Sequence, residues 1–234
     1  YIPSSFSLRN YKVAMEYSNY WYSLLKTLVY VIAVSVLQVA SAMLVGYGFA
    51  RFKFKGRGFL FGCVIATLII PVQSFILPLY NYFRKLQLLG TPIPVILLSI
   101  GSIGLKSGLY IYMFRQYFSG IPKELEESGK IDGAGTFRIF RSIILPSSVT
   151  ITTTCFLFSF VWQWTDNYYI SVFMPTNTYL SNTISLIATK DMDDYLLSIL
   201  TNTGVILLIF PIMIVFLIAQ RFFVQGIETS GIVG

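Results

Sequence analysis

The sequence is poor in charged residues, which make up 12% of its 234 positions against about 25% in soluble domains. It has no histidine, so the commonest zinc ligand and the commonest general base at neutral pH are missing. Two cysteines are too few for a disulfide scaffold, and an aromatic content of 17% excludes a disordered chain. Because 55% of the residues are hydrophobic, the composition indicates a protein that crosses a membrane several times.

The net charge of +7 at pH 7 is compatible with nucleic-acid binding but has a simpler explanation in a membrane protein. Lysine and arginine accumulate in the cytoplasmic loops of such proteins. We therefore expect membrane lipid, and no nucleic acid, as a partner of this chain.

Five apolar runs are long enough to cross the hydrocarbon core as helices of about 20 residues. They are Ser23–Ala50, Phe59–Tyr80, Ile93–Phe118, Ser147–Trp164 and Leu196–Ala219. Their continuous apolarity argues against a barrel, whose strands would alternate apolar and polar residues. The predicted fold class is therefore an all-α polytopic membrane protein. Proline is tolerated in such helices, and we expect kinks at Pro71, Pro78 and Pro211.

Positive residues are distributed unevenly between the two sides of this arrangement. A dense group lies between the first and second spans, namely Arg51, Lys53, Lys55 and Arg57. By the positive-inside rule this side is cytoplasmic, which puts residue 1 outside and the C-terminus inside. We expect an extracytoplasmic segment 1–21, a membrane domain 22–221 and a cytoplasmic tail 222–234. An outside start without a signal-peptide pattern also predicts a further span upstream of residue 1.

The loop 119–146 joins the third and fourth spans and contains an acidic helix and a cluster of glycines. Pro122 suits a first helical turn, and the three glutamates that follow would lie near the positive end of the helix dipole. Three glycines are expected to end this helix: Gly129, Gly133 and Gly135. A second helix is expected to begin near Asp132, a favourable N-cap residue. The spacing alone is compatible with an amphipathic surface loop or with a docking element for a cytoplasmic partner.

The same loop carries a motif that identifies a family. Glu127-Ser128-Gly129, Gly133 after three residues and Ile143-Ile144-Leu145-Pro146 after nine more resemble the E-A-A-x3-G-x9-I-x-L-P motif of ABC importer permeases. Serine and glycine replace the two alanines. The segment 162–166 is similar to the W-N-D segment of the carbohydrate uptake class, with threonine in place of asparagine. Residues 6–11 and 220–234 are also similar to that class, in particular to the G-type permeases of maltose transporters.

This resemblance implies a type I ABC importer transmembrane fold of six spans, of which the first lies outside this sequence. It implies a multi-pass location in a bacterial or archaeal cell membrane, a second homologous permease, two cytoplasmic ATPase subunits and an extracytoplasmic solute-binding protein. ATP and Mg would be bound by the ATPase subunits, with no cofactor, metal or catalytic residue in this chain. Residues implied to couple to the ATPase are Glu126, Glu127, Ser128, Gly129, Asp132, Gly133, Ala134, Leu145 and Pro146.

A sugar path needs aromatic rings against the apolar face of the sugar, and amides or carboxylates for its hydroxyl groups. Residues with that chemistry are Gln73, Trp162, Gln163, Trp164, Asp166 and Asn167. Tryptophan is also enriched at membrane interfaces, so an interfacial role for the two tryptophans stays open. Lys106 is the charge deepest within a predicted span. It either serves function, or snorkels or pairs with a polar group of the partner permease.

The expected function is thus the permease subunit of an ATP-driven importer for a sugar or oligosaccharide, and not an enzyme. The segment 101–107 lacks the adjacent Gly-Lys-Ser/Thr of a phosphate-binding loop. A permease for another solute is the main alternative. A secondary transporter is less well supported, because ion coupling would call for paired carboxylates or repeat symmetry within the spans.

Overall fold

The computed structural model describes residues 8–187 and 193–230, with the side chains at 185–186 and 219–230 left aside. All regular elements of these residues are helices. They are α1 (Arg9–Tyr17), α2 (Tyr20–Arg51), α3 (Arg57–Ile69), a 3-10 turn (Val72–Ser74), α4 (Ile76–Lys85), α5 (Ile93–Ile100), α6 (Ser107–Gly120), α7 (Glu124–Ile131), α8 (Thr136–Ile139), a π-helical turn (Phe140–Ile144), α9 (Leu145–Ser147), α10 (Val149–Thr165), α11 (Tyr168–Phe173), α12 (Leu180–Ile187) and α13 (Asp194–Ser230).

Helix α2 is the central element and confirms the first predicted span. It packs against α5, α6 and α10, and its inward face buries residues such as Val31 and Val34 completely. Gly46 allows α2 and α6 to approach closely, because a Cβ atom there would lie 2.6 Å from the Cβ of Phe114. Its other face is apolar and exposed, as expected for a helix in contact with lipid.

The second predicted span is interrupted rather than merely kinked. Helix α3 ends at Ile69, and the extended backbone of Ile70 (ψ 120°) leads into Pro71. A residue before proline is driven away from the helical conformation, which explains the break. Pro78 lies in the first turn of α4, where proline costs no helical hydrogen bond, and α4 runs from Ile76 to Lys85 through it.

The third predicted span is also divided, into α5 and α6. Between them the backbone of Ser102 and Lys106 has positive φ, 56° and 61°, which is uncommon for residues other than glycine. No proline accounts for this interruption, since the segment 101–106 contains none. Its stabilising contacts come from Gln38 and Ser41 of α2.

The fourth and fifth spans agree with the prediction in position. Helix α10 meets the preceding helical segment Thr136–Ser147 at 75°, and α13 continues through Pro211 as one helix. Within the described residues, Tyr20–Arg51 and Asp194–Ile218 are long and apolar enough to cross a membrane alone, and the bent pair would make a third crossing. The residues 231–234 of the predicted tail lie outside the described part.

The 119–146 loop forms the predicted helix, turn and helix, with two corrections. Gly129 does not end α7 but lies buried inside it, where a Cβ atom would be 3.2 Å from both Ile139 and Ile143. Asp132 is the C-cap of α7 and not the N-cap of the next helix, which begins at Thr136. Gly133 makes the turn, with a φ of 76°.

The turn at Gly133 follows a known pattern of helix termination. The amide of Gly133 donates to the carbonyl of Lys130, and the amide of Ala134 donates to that of Gly129, at 3.0 and 2.9 Å. These are the two bonds of a Schellman motif, which places a left-handed residue just after the C-cap. Glycine occupies this position at low conformational cost because it has no Cβ atom.

Candidate functional site

A cavity of about 960 Å³ lies where the interrupted spans meet the end of α10. One wall comes from the break between α3 and α4, a second from residues 98–108, and a third from residues 162–169. Four of the residues predicted to line the substrate path contribute to it: Gln73, Trp162, Asp166 and Asn167. The breaks in the helices therefore bring polar side chains and non-helical backbone together at one cavity.

The other two predicted path residues lie elsewhere. Trp164 is completely buried, stacks on Phe160 with ring centroids 5.7 Å apart, and donates its indole N–H to the carbonyl of Leu208 at 3.0 Å. Gln163 is 1% exposed and donates to the side chain of Gln38. Because an α-helix has 3.6 residues per turn, neighbouring side chains point in different directions. Trp162 therefore reaches the cavity, while Gln163 and Trp164 face the core.

Within the described part of the chain, one carboxylate oxygen of Asp166 accepts hydrogen bonds and the other has no hydrogen-bond partner. Its Oδ1 accepts from the amides of Tyr168 and Tyr169, at 3.1 and 3.2 Å, which caps the start of α11. Its Oδ2 is buried without a hydrogen-bond partner, in a residue that lines the cavity.

Lys106 projects from the second wall of the cavity. It is the N-cap of α6, and its ammonium group lies 4.8 Å from the centroid of the Trp162 ring. A cation over the face of an indole ring is attracted by the ring quadrupole. The charge predicted to be deep in a span therefore contacts an aromatic ring of this same chain.

Gln38 of α2 was not predicted as a functional residue, and it joins two of the cavity walls. Its Nε2 donates to the carbonyl of Leu105 and, at 3.0 Å, to Oγ of Ser107. Its Oε1 accepts from Oγ of Ser159 at 3.0 Å and from Nε2 of Gln163 at 3.1 Å. The side chain is completely buried. The available signal was an amide in the middle of an apolar span, where polar groups are rare and usually serve a purpose.

The 119–146 loop is fastened to the end of α2 by a buried ion pair. Nε of Arg51 lies 2.7 Å from Oε1 of Glu126, and the two side chains are only 6% and 12% exposed. Nη2 of Arg51 also donates to the carbonyl of Ile121 at 2.7 Å. Burial strengthens such a pair because water screens it little.

The predicted coupling residues divide into two groups. Glu126 and Gly129 are buried and hold the loop together, and Ala134 is half-buried. The exposed ones are Glu127, Ser128, Asp132, Gly133, Leu145 and Pro146. The motif glutamate Glu127 thus points away from the buried pair made by its neighbour, and the exposed group is free to contact another protein.

Comparison with known proteins agrees with the features described above. Residues 38–229 match the family described as binding-protein-dependent transport system inner membrane component. The chain is 32% identical to the osmoprotective compounds uptake permease protein GgtD of Synechocystis sp., over 98% of this chain and 76% of the relative. It is 31% identical to the arabinooligosaccharides transport system permease protein AraQ of Halalkalibacterium halodurans, over 99% and 81%.

A solved structure supports the same fold. The chain superimposes with a TM-score of 0.77 and 18% identity on a chain from the crystal structure of a bacterial ABC transporter involved in the import of the acidic polysaccharide alginate. The match covers 95% of this chain and 81% of the other. The all-α ABC importer fold expected from the sequence is thereby confirmed, and the chain belongs to the family of binding-protein-dependent transport system inner membrane components.

Proposed function

We propose that this chain is the permease subunit of an ATP-driven importer for a sugar or oligosaccharide. The cavity forms part of the translocation path, and the 119–146 loop receives the motion of ATPase subunits. One observation carries the proposal: a single helix, α2, is bonded to both features. Arg51 at its end pairs with Glu126 of the loop, and Gln38 near its middle bonds to the cavity wall.

The lining of the cavity suits a sugar. The ring of Trp162, a residue that is 43% exposed, offers a flat apolar surface. Gln73 and Asn167 add amide groups to the same cavity, which supply both donors and acceptors. A volume of about 960 Å³ is at the upper end of the usual range for ligand pockets, about 300–1,000 Å³, so it accommodates more than one sugar ring.

ATP is hydrolysed outside this chain, on two cytoplasmic subunits that bind ATP and Mg. The exposed coupling residues, Glu127 first among them, dock into these subunits from the cytoplasmic side, where the C-terminus of the chain also lies. A second homologous permease completes the path, and an extracytoplasmic binding protein delivers the solute. The motif in the 119–146 loop and the description of the family support this assembly.

Transport then follows from two conformations with different contacts. Closure of the ATPase pair moves the docked loop, and rigid helices rock between inward-facing and outward-facing arrangements. ATP biases this equilibrium only because it binds the transporter more tightly in one of the two states than in the other. Arg51 and Gln38 are about 20 Å apart along α2, so a tilt of this helix moves both the loop and the cavity wall.

Uptake measurements test the substrate class. In a strain lacking this chain, uptake of radiolabelled arabinooligosaccharides and malto-oligosaccharides is measured after complementation with the wild-type chain, Trp162→Ala or Trp21→Ala. Trp162→Ala is expected to reduce uptake at low sugar concentration by up to about tenfold, since aromatic contacts contribute about 0.5–1.5 kcal/mol. Trp21 provides the matched control, because it is a tryptophan at the N-terminal end of α2 that is 73% exposed. Unchanged uptake of every sugar after deletion would contradict the proposal.

A non-sugar solute is the second candidate, because one relative is named for osmoprotective compounds, a description that is not confined to sugars. Loss of betaine or proline uptake on deletion, with sugar uptake intact, would select it. The coupling part of the proposal is tested separately with Glu127→Ala in the purified complex, which is expected to assemble but to lose solute-stimulated ATP hydrolysis. Hydrolysis by the isolated chain would contradict the placement of ATP on other subunits.

A further inference from the structure

We propose that Gln38 is a positioning residue that holds the 101–106 segment as a wall of the cavity. Through this segment it determines how Lys106 and Trp162 are presented to the transported solute. This inference rests on the proposed function only in taking the cavity as the path of the solute. Gln38 itself lies behind the wall, completely buried.

The amide of Gln38 uses its full hydrogen-bonding capacity. A glutamine side chain has two N–H donors and an oxygen with two lone pairs. Both donors are directed to the start of α6, at Leu105 and Ser107, and both lone pairs are directed to α10, at Ser159 and Gln163. A fully satisfied buried network fixes one geometry, because any displacement leaves polar groups without partners.

The interrupted span needs these bonds. A break in a membrane helix frees backbone carbonyls that lipid cannot satisfy, so neighbouring side chains must do so. Gln38 satisfies the carbonyl of Leu105. One turn further along α2, Oγ of Ser41 donates to the carbonyl of Ile100 and shares a hydrogen bond with Ser102. The two ends of the break are thus held by one polar stripe on α2.

The backbone of the segment is held in an unfavourable conformation. Ser102 and Lys106 both have left-handed backbones, which cost residues with a Cβ atom some free energy and persist only where the surroundings impose them. Packing is also tight, since a Cβ atom at Gly104 would lie 3.0 Å from Oγ of Ser99 and would also contact Nε2 of Gln38 at 3.4 Å. Without the bonds of Gln38, the segment is expected to relax and carry Lys106 away from Trp162.

Gln38 also connects the second wall to the third. Ser159 and Gln163 are one turn apart on α10, and Trp162 and Asp166 project into the cavity from the same end of that helix. The distance between the ammonium of Lys106 and the ring of Trp162 is therefore set by the Gln38 amide, which makes two hydrogen bonds to the start of α6 and two to α10. This arrangement makes residue 38 a determinant of solute affinity without contact to the solute.

Thiol accessibility tests the proposal without any knowledge of the solute. The reporter is Ile103→Cys, because Ile103 is 62% exposed and lines the cavity from the segment in question. Cys63 is exposed and is first replaced by serine, whereas Cys155 is buried. Membrane vesicles containing the complete transporter are treated with a cationic, membrane-impermeant methanethiosulfonate, and the rate of modification is measured. Phe75→Cys, on the first wall of the same cavity, is the control reporter.

Replacement of Gln38 by methionine keeps the length of the side chain and removes all four bonds. We expect the modification rate of the Ile103→Cys reporter to change by about tenfold, as the loss of hydrogen bonds shifts the population of the held conformation. The rate for the Phe75→Cys reporter is expected to stay within about twofold. Equal rates with and without Gln38→Met would overturn the proposal, and so would equal changes at both reporters, which indicate general loosening.

Two milder variants test the same proposal if the transporter with Gln38→Met does not assemble. Ser107→Ala removes one bond to the proposed wall, and Ser159→Ala removes one bond to α10. The first is expected to alter the modification rate of the Ile103→Cys reporter more than the second. The reverse order, or no change in either, would refute the positioning role.

A transport assay separates this inference from the proposed function. If arabinooligosaccharide or malto-oligosaccharide is carried, Gln38→Met should raise the KM for uptake about tenfold, together with any fall in the maximal rate that follows from the weaker link between α2 and the cavity wall. A fall in maximal rate alone, at unchanged KM, argues against positioning. If neither sugar is carried, the proposed function fails, and the accessibility measurements still decide the role of Gln38.

Discussion

The buried ion pair between Arg51 and Glu126 provides the sharpest test of how the 119–146 loop is attached. Glu126→Ala removes the carboxylate and leaves the guanidinium of Arg51 buried, with its bond to the carbonyl of Ile121 intact. We expect this change to destabilise the chain strongly, because an uncompensated charge remains in a site that water barely reaches. Glu127→Ala is the matched control, since Glu127 is the next residue and is exposed.

The magnitude follows from the burial of both partners. Breaking one side of a buried pair typically costs about 3–5 kcal/mol, whereas an exposed substitution changes stability by about 0.5 kcal/mol or less. With side chains only 6% and 12% exposed, solvent screening reduces the first figure little. For a chain of this length, such a loss corresponds to a fall of about 10 °C in the unfolding midpoint.

A thiol-reactive dye provides the assay. Cys155 is completely buried in the cluster that also contains Ile139 and Ile144 of the loop, so its reaction on heating reports the loss of this packing. In a Cys63→Ser background, the midpoint is compared for the purified complex with each variant. Equal midpoints for the Glu126 and Glu127 variants would refute the reasoning.

A double variant separates the charge from the packing. Arg51→Met with Glu126→Leu replaces the pair by apolar side chains of similar size, which is often neutral or stabilising. We expect it to recover most of the midpoint lost in Glu126→Ala. A double variant as unstable as the single one would mean that the loop depends on the hydrogen bonds of the Arg51 guanidinium, such as the one to the carbonyl of Ile121.

Glycine substitutions give three further predictions, each with a control in the same helix, site or turn. Gly46→Ala should lower the free energy of unfolding by about 1–3 kcal/mol, because the new methyl overlaps α6. Gly48→Ala should be neutral, because its methyl meets only the Phe52 ring at an ordinary 3.9 Å. At Gly129, alanine needs only a small shift of the two isoleucine side chains that would lie 3.2 Å from its Cβ atom, and it should be tolerated. Leucine must displace these isoleucines entirely and should abolish solute-stimulated ATP hydrolysis. Gly133→Val should cost about 1–2 kcal/mol and reduce coupling, as measured by the same hydrolysis assay, because its φ is 76°. Gly135→Ser, at an ordinary φ of −71°, with free space and at an N-cap position that serine suits, should leave both unchanged.

Local chemistry accounts for what the sequence predicted correctly. The first span is a long apolar run without proline, and the structure forms it as one helix, Tyr20–Arg51. Pro71 ends a helix through the steric effect on the residue before it, and Gly133 provides the left-handed residue that a tight turn needs. Each of these features depends on a few neighbouring residues, which the sequence displays directly.

Features that depend on distant contacts were predicted incorrectly or missed. The break between α5 and α6 contains no proline, and it is stabilised by Gln38, which is far away in the sequence. Gly129 was expected to end a helix on the basis of propensity, yet it is retained inside α7 because α8 packs against it. Gln163 and Trp164 were grouped with Trp162 by chemistry, although the helical period puts them on another face.

The placement of polar groups along α2 has a consequence for how transport is driven. Arg51 and Gln38 lie about 20 Å apart on one uninterrupted helix, whereas two neighbouring spans are broken beside the cavity. A continuous helix transmits a displacement of its end, while a broken one yields at the break. If α2 is the rigid element, Glu126→Ala should also weaken the dependence of the Ile103→Cys modification rate on ATP in membrane vesicles. An ATP dependence that survives Glu126→Ala undiminished would mean that the motion reaches the cavity by another route, such as the contact of α10 with the segment before it.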